Sequence, residues 1–235
     1  MVSLNITPTE ALRERIEERD HFAAVASLRA ILAPSSVAVV GATETPGNVG
    51  RAVLENIIAG GFQGVVAPVD RAGGVVCSMR AARSLAELEI AAELVIIAAA
   101  GDEVLEFAAV AAASGARALL VLPAGPEQDV EALLARDERL LEIVRGGGLR
   151  LVGPSSLGVL NTAATVSLNA TFTDASVRAG GLAICSPSGA VGIGLLGHAA
   201  RGSWGSRCSP RSAAARTSRP TICSSAGSRT SGRPR

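Results

Sequence analysis

Short apolar runs recur along the chain at residues 37–40, 65–69, 94–98, 118–122 and 149–152. Such nearly continuous runs predict strands buried on both faces of a parallel sheet. Between them, residues 50–59, 102–113 and 130–144 carry helical patterning, and Gly146, Gly147 and Gly148 stop the last of these. Strands alternating with helices predict an α/β protein with a doubly wound, Rossmann-like parallel sheet. Ligands in such sheets bind beyond the carboxyl ends of the strands. Ahead of the sheet, residues 7–33 read as a helix. Thr7, Pro8 and Glu10 form its capping box, and Leu12 and Ile16 lie one turn apart. Residues 154–180 are less regular and read as an interdomain connection. A second unit then starts, with a strand at 182–185, a turn at 186–189 and a helix at 190–200. It needs further strands to close a core.

Composition narrows the picture. Apolar residues make up 48% of the 235, but aromatics only 2%, so the core is built from Ala, Val, Leu and Ile. The net charge of +1 conceals an asymmetry. Residues 1–200 hold 14 Arg and all 21 acids, whereas residues 201–235 hold 8 Arg and no acid. There is no lysine, which fits a GC-rich coding sequence. Cys77, Cys185, Cys208 and Cys223 show neither CxxC spacing nor a nearby histidine pair. They read as free thiols in a reducing cytoplasm, with neither a metal site nor a disulfide framework. The polar N-terminus does not read as a signal peptide, and no apolar run is long enough to span a bilayer.

The stretch "VAVVGATETPGNVGRAV", residues 37–53, runs a strand through a glycine-studded turn into a helix. Glycine lets backbone N–H groups approach a ligand closely, and a helix N-terminus adds unpaired donors that suit a phosphate. The spacing is not GxGxxG; the loop is longer and carries Thr43, Glu44 and Thr45. Such a turn either holds a nucleotide diphosphate or merely packs a helix on a sheet. At the end of the second strand, Asp70 stands where dinucleotide folds place an acid on a ribose diol. That favours NAD, because a carboxylate would repel the 3′-phosphate of coenzyme A. An inward-pointing Arg71 would offset that repulsion. Alternatively, Asp70 and Arg71 are a solvated loop.

Taken together, "LRAILAPSSVAVVGATETPGNVGRAVLENIIAGGFQGVVAPV", "LRLVGPSSLGVLN", "LNATF" and "SPSGAVGI" resemble successive blocks of the ADP-forming acyl-CoA synthetases, relatives of the succinyl-CoA synthetase α subunit. The likeness covers roughly residues 28–202. It implies a Rossmann-like CoA-binding domain followed by flavodoxin-like domains. Full-length members interconvert acyl-CoA, ADP and phosphate with the free acid, CoA and ATP, through an acyl phosphate and a phosphohistidine. By the resemblance, Gly41, Ala42, Thr43, Gly47 and Gly50 would face the CoA phosphates. Val69 and Asp70 would lie near the adenosine. Ala98, Ala99 and Ala100 would line the cleft. Gly153, Pro154, Ser155 and Ser156 would approach the pantetheine, and Ser186, Ser188 and Gly189 would form the second unit's phosphate-facing turn. The sequence departs from the family where Ser155-Ser156 replace Asn-Cys, Pro187 replaces Gln and Asp70-Arg71 replace Asn-Pro; the usual Pro is also missing from Ala98–Ala100. Pro187 removes a backbone donor from the second turn.

Residues from about 203 onward lack periodicity and acids, a composition that predicts disorder. Shifted by one base, "RSAAARTSRPTICSS" is compatible with Val-Gly-any-Arg-Ala-Asp-Val-Ser-Ala-Asn-Asp-Leu-Leu, which resembles the family's next block; the tail reads as a frameshift product. The expected organisation is therefore a linker helix at 1–33, a CoA-binding domain at 34–165, the truncated start of a flavodoxin-like ligase domain at 166–202 and a basic tail at 203–235. Neither His21 nor His198 matches the family's phosphorylated histidine. The resemblance also implies a separate ATP-grasp subunit or domain as partner and, through some members, an upstream GNAT acetyltransferase. The resulting expectation is a domain that binds CoA or acyl-CoA without turnover by itself, with no specific nucleic acid or membrane partner. A dinucleotide-sensing module and a scaffold that binds nothing well are the alternatives.

Overall fold

The computed structural model describes Glu10, Arg15 and residues 25–123, 125, 129–174, 177–201 and 206–208. Five strands form one parallel sheet in the order β2-β1-β5-β6-β7. They are β1 (Ser36–Val40), β2 (Val65–Val69), β5 (Leu94–Ile97), β6 (Ala118–Val121) and β7 (Arg150–Val152). All five agree with the apolar runs to within a residue at each end. The helices are α1 (residues 25–32), α2 (Val49–Ala59), α3 (Glu103–Ala113) and α4 (Val130–Gly146). Of the predicted leading helix, Leu12, Ile16 and His21 lie outside the described residues.

Alternation along each strand sends side chains to two cores. Val37 and Val39 of β1 and Leu94 and Ile96 of β5 join Ile31 of α1 and Val53, Leu54 and Ile57 of α2. On the other face, Ala38, Val40, Val95 and Ile97 join Phe107 and Ala108 of α3 and Leu140 and Val144 of α4. With both faces covered, β1, β5 and β6 are buried from end to end. β2 is an edge strand, which lets it accommodate Pro68. α4 is capped by Asp129, whose Oδ1 accepts the N–H groups of Glu131 and Ala132 at 2.9 and 3.2 Å.

Residues 154–180, expected to be an irregular connection, contain an antiparallel hairpin of β8 (Gly158–Asn161) and β9 (Leu168–Thr171). Val159, Leu168 and Ala170 sit in the same core as α2. A boundary between residues 165 and 166 would cut this hairpin's loop. Its strands are four residues each and mix apolar with polar side chains, so they gain order from the helix they cover rather than from local pattern. Two further elements have no counterpart in the apolar pattern. A small hairpin of β3 (Val75–Val76) and β4 (Met79–Arg80) follows β2, and a 3₁₀ turn spans Leu85–Glu87.

β10 (Leu182–Ala183), α5 (Gly189–Arg201) and β11 (Ser206–Cys208) form a small parallel β-α-β unit. Leu196 of α5 packs on Leu157 and Leu160, so the unit rests on the hairpin. β11 lies on the open edge of β10, which offers backbone partners to the segment that follows α5. The rest of the predicted tail lies outside the described residues. Among the described residues no helix is long and apolar enough to cross a membrane.

Candidate functional site

The sheet order reverses between β1 and β5: β2 lies on one side of β1, and β5, β6 and β7 follow on the other. A crevice opens at such a point, at the carboxyl ends of the strands. Gly41 occupies it. Its N–H donates to the carbonyl of Val69 at 2.9 Å, and the N–H of Ala98 donates to the carbonyl of Val40 at 3.0 Å. Gly41 has φ +81°, and a Cβ there would lie 2.4 Å from the Ala98 carbonyl oxygen. Glycine is thus required twice at this position, for its dihedral and for the close approach. The tertiary structure brings the predicted Gly41, Val69, Asp70 and Ala98 together.

The turn that follows is locked mainly by Asn48, which the sequence reading did not single out. Its Oδ1 accepts the N–H of Arg51 at 2.7 Å, capping α2, and the N–H of Thr43 at 3.2 Å. Its Nδ2 donates to the carbonyl of Gly41 at 3.0 Å. An Asn immediately before a helical run is a capping signal, and that much was legible. Thr43 Oγ1 accepts the N–H of Thr45 at 3.4 Å. Gly50 packs α2 onto the turn, because a Cβ there would stand 2.8 Å from the Ala42 nitrogen and the Gly41 oxygen. Gly47, at φ +78°, has open space around it. The roles therefore divide. Gly41 and Gly50 set close approaches, Ala42 is buried, and Thr43 commits its N–H to Asn48. The amides of Val49 and Gly50, at the start of α2, have no acceptor within the described protein. They suit an anion.

Both arginines beside the mouth are engaged by carboxylates. Arg51 Nη1 pairs with Glu44 Oε2 at 2.8 Å, and Nε pairs with Glu55 Oε1 at 2.8 Å. The hydrogen bond to Glu55 and the charge of Glu44 raise the Arg51 pKa above its ordinary value. Glu44 Oε1 also accepts the N–H of Cys77, tying the β3–β4 hairpin to the glycine turn. Burial, with Glu55 adding to it, pushes the Cys77 thiol pKa up. Arg71 does not point inward to balance Asp70. It pairs with Glu106, lies 3.9 Å from Glu103 and stands 4.8 Å over the Phe107 ring, all on α3. Its pKa is raised, chiefly by the hydrogen bond to Glu106. Asp70 accepts the N–H of Ala72 on its own turn at 3.4 Å.

Further along the mouth, Ala99, Ala100, Pro154 and Ser155 line one small cavity of about 30 Å³, together with Val104, Gly125 and Arg136. Gly153 repeats the close approach of Gly41, with φ +115° and a Cβ position 2.5 Å from the Val121 oxygen. Ser156 is fully buried; its N–H donates to Val121 O at 3.1 Å and its Oγ accepts the N–H of Gly158. Its hydroxyl thus supports the turn from inside. Leu157, next in the chain, touches α5: a Cβ on Gly192 would be 2.9 Å from its side chain. The turn before α5 is closed on itself. Ser186 Oγ donates to Ser188 O at 2.9 Å and accepts the Ser188 N–H at 3.2 Å, while Ser188 Oγ accepts the N–H of Val191. Gly189 opens the helix. His198 lies on α5, exposed. Among the described residues no cluster of His, Cys, Asp and Glu is arranged to hold a metal ion.

Comparison with known proteins agrees with this geometry. Residues 35–162 match the family model described as the CoA binding domain. Over 175 residues the chain is 33% identical to the α subunit of acetate–CoA ligase [ADP-forming] I of Pyrococcus furiosus, covering 73% of this chain and 37% of the relative. It is 28% identical to the 4-hydroxybutyrate–CoA ligase [ADP-forming] of Nitrosopumilus maritimus, over 71% of this chain and 24% of that protein. The dinucleotide-forming acetyl-coenzyme A synthetase 1 of Ca. Korarchaeum cryptofilum, solved with phosphate and ADP, superposes with a TM-score of 0.70 at 27% identity. The match covers 78% of this chain and 39% of that one. The chain thus spans between about a quarter and two fifths of the length of these relatives. With its switch-point glycine turn and its match over residues 35–162, the chain belongs to the family of CoA-binding domains found in ADP-forming acyl-CoA synthetases.

Proposed function

We propose that this chain binds CoA or an acyl-CoA at the carboxyl mouth of its sheet. The diphosphate would lie against the amides of Val49 and Gly50 and over Gly41, the adenosine toward Val69 and Asp70, and the pantetheine toward Ala98–Ala100 and Gly153–Ser156. The observation that carries this reading is Gly41, where backbone passes so close to Ala98 that no side chain fits. That close packing leaves the crevice to the ligand. The relatives are ligases, and one is named as an α subunit. By that likeness the chain would serve a ligase cycle in company with an ATP-grasp subunit or domain.

By itself the chain binds without turnover. A phosphoryl relay needs an acceptor at the mouth. The one histidine among the described residues, His198, sits on an exposed part of α5, and the Ser186 and Ser188 hydroxyls are spent on their own turn. Calorimetry of the full chain against CoA, acetyl-CoA, NAD and ADP tests the reading. Heat with CoA and acetyl-CoA is expected, and no ATP should form from acetyl-CoA, ADP and phosphate. Silence toward both CoA and acetyl-CoA, or NAD binding abolished by Asp70→Ala, would overturn it.

A further inference from the structure

The adenosine end of the mouth carries a charge balance that bears on which part of the ligand is read. In dinucleotide folds an acid at the end of the second strand favours free ribose hydroxyls, and an arginine nearby accommodates an added ribose phosphate. This chain has both, Asp70 and Arg71, side by side. The fold decides between them, because Arg71 turns to α3, pairs with Glu106 and Glu103 and stacks over Phe107. We infer that the domain reads the diphosphate but not the ribose 3′-phosphate, because Glu103 and Glu106 hold Arg71 on α3 and leave the adenosine end net acidic. The inference deepens the CoA-binding reading above and rests on it.

The single ion pair does not decide the matter. Arg71, Glu103 and Glu106 are each more than half exposed, and exposed pairs are weak. A dianionic phosphate could displace one glutamate. What opposes it is the surrounding sum. Asp70, Asp102, Glu103 and Glu106 stand at the end of β2 and the start of α3, against the guanidinium of Arg71 and that of Arg83 beside Gly73. A phosphate brought there meets more like charge than opposite charge. Other arginines do not relieve this. Arg51 is held at the glycine turn between Glu44 and Glu55. Arg83 follows Ala82, which pairs with Val69 and Asp70, and its Nε lies beside Gly73 on the turn after β2, but it and Arg80 line a cavity of about 750 Å³ shared with Glu87 and Glu89, so these two arginines bring two carboxylates with them.

The test is paired calorimetry of the full chain with CoA and dephospho-CoA, which differ only in the 3′-phosphate. The native chain should bind the two within about threefold of each other. The double variant Glu103→Gln, Glu106→Gln frees Arg71 and halves the local acid count, so its preference for CoA should rise by roughly fivefold or more. Arg71→Ala, which removes a cation that touches no phosphate, should lower the preference for CoA by no more than about twofold. A native preference for CoA of about tenfold or more would overturn the inference while upholding CoA binding. So would a double variant with an unaltered ratio, or an Arg71→Ala that weakens CoA alone by about fivefold or more, the sign of a direct contact with the phosphate. Failure of both ligands to bind would instead overturn the CoA-binding reading, and this inference with it. Circular dichroism melts of each variant confirm that the ratios come from folded protein.

Discussion

Gly41 and Gly47 offer a controlled test of the switch-point geometry. Both have nearly the same dihedral, φ +81° and +78°. An alanine at either position bears the left-handed conformation, at about 1–2 kcal/mol. Either substitution also recovers about 0.4–1 kcal/mol by restricting the unfolded chain. These terms cancel in the comparison. The remaining difference is space. At Gly47 a Cβ meets nothing within 4 Å, whereas at Gly41 it stands 2.4 Å from the Ala98 carbonyl oxygen. That neighbour is backbone of β5's own exit, hydrogen-bonded to β1 through the Ala98 N–H, and it cannot swing aside. Forcing the strands apart costs about 1–3 kcal/mol, typical of overpacking in a tight core. Gly41→Ala should therefore lose about 1–3 kcal/mol more than Gly47→Ala, read as the difference in unfolding free energy from urea melts monitored by circular dichroism. Equal losses in the two variants would refute the argument that the carboxyl ends of β1 and β5 are closed by a backbone contact.

Other expectations follow from named contacts. Asn48→Ala removes a helix cap and two further hydrogen bonds within the turn, and should cost about 2–3 kcal/mol in the same melts; Asn48→Asp, which keeps the cap, should cost less. Leu168→Ala, fully buried between the β8–β9 hairpin and α2, should cost about 2–5 kcal/mol; a loss below about 1 kcal/mol would mean the hairpin is not part of the first domain's core. Because burial raises the Cys77 thiol pKa, less of it is thiolate at any given pH. It should alkylate more slowly than exposed Cys185 at pH 8 by peptide mass spectrometry, and the gap should narrow as pH rises through the Cys77 pKa.

The parallel sheet was legible residue by residue. Runs such as "VAVV" and "LVII" have only one environment that suits them, the middle of a sheet covered on both faces, and local hydrophobicity records it. The glycine turn was legible for a related reason: a strand that ends in glycine and is followed by a capped helix carries its geometry in consecutive residues. The β8–β9 hairpin was not legible, because "GVLN" and "LNAT" acquire their burial from α2, more than a hundred residues upstream. The mouth's electrostatics were likewise hidden. Asp70 and Arg71 are neighbours in sequence, yet Arg71 answers to Glu106, 35 residues away, because the turn after β2 carries its guanidinium over Phe107 of α3. The sequence by itself determined the five strands of the parallel sheet, helices α2, α3 and α4 and the glycine turn, since each depends on side chains within a few positions. Only the tertiary structure decided which carboxylates neutralise which arginines, since ion pairing follows proximity in space, and proximity here is set by a strand order that no local pattern encodes.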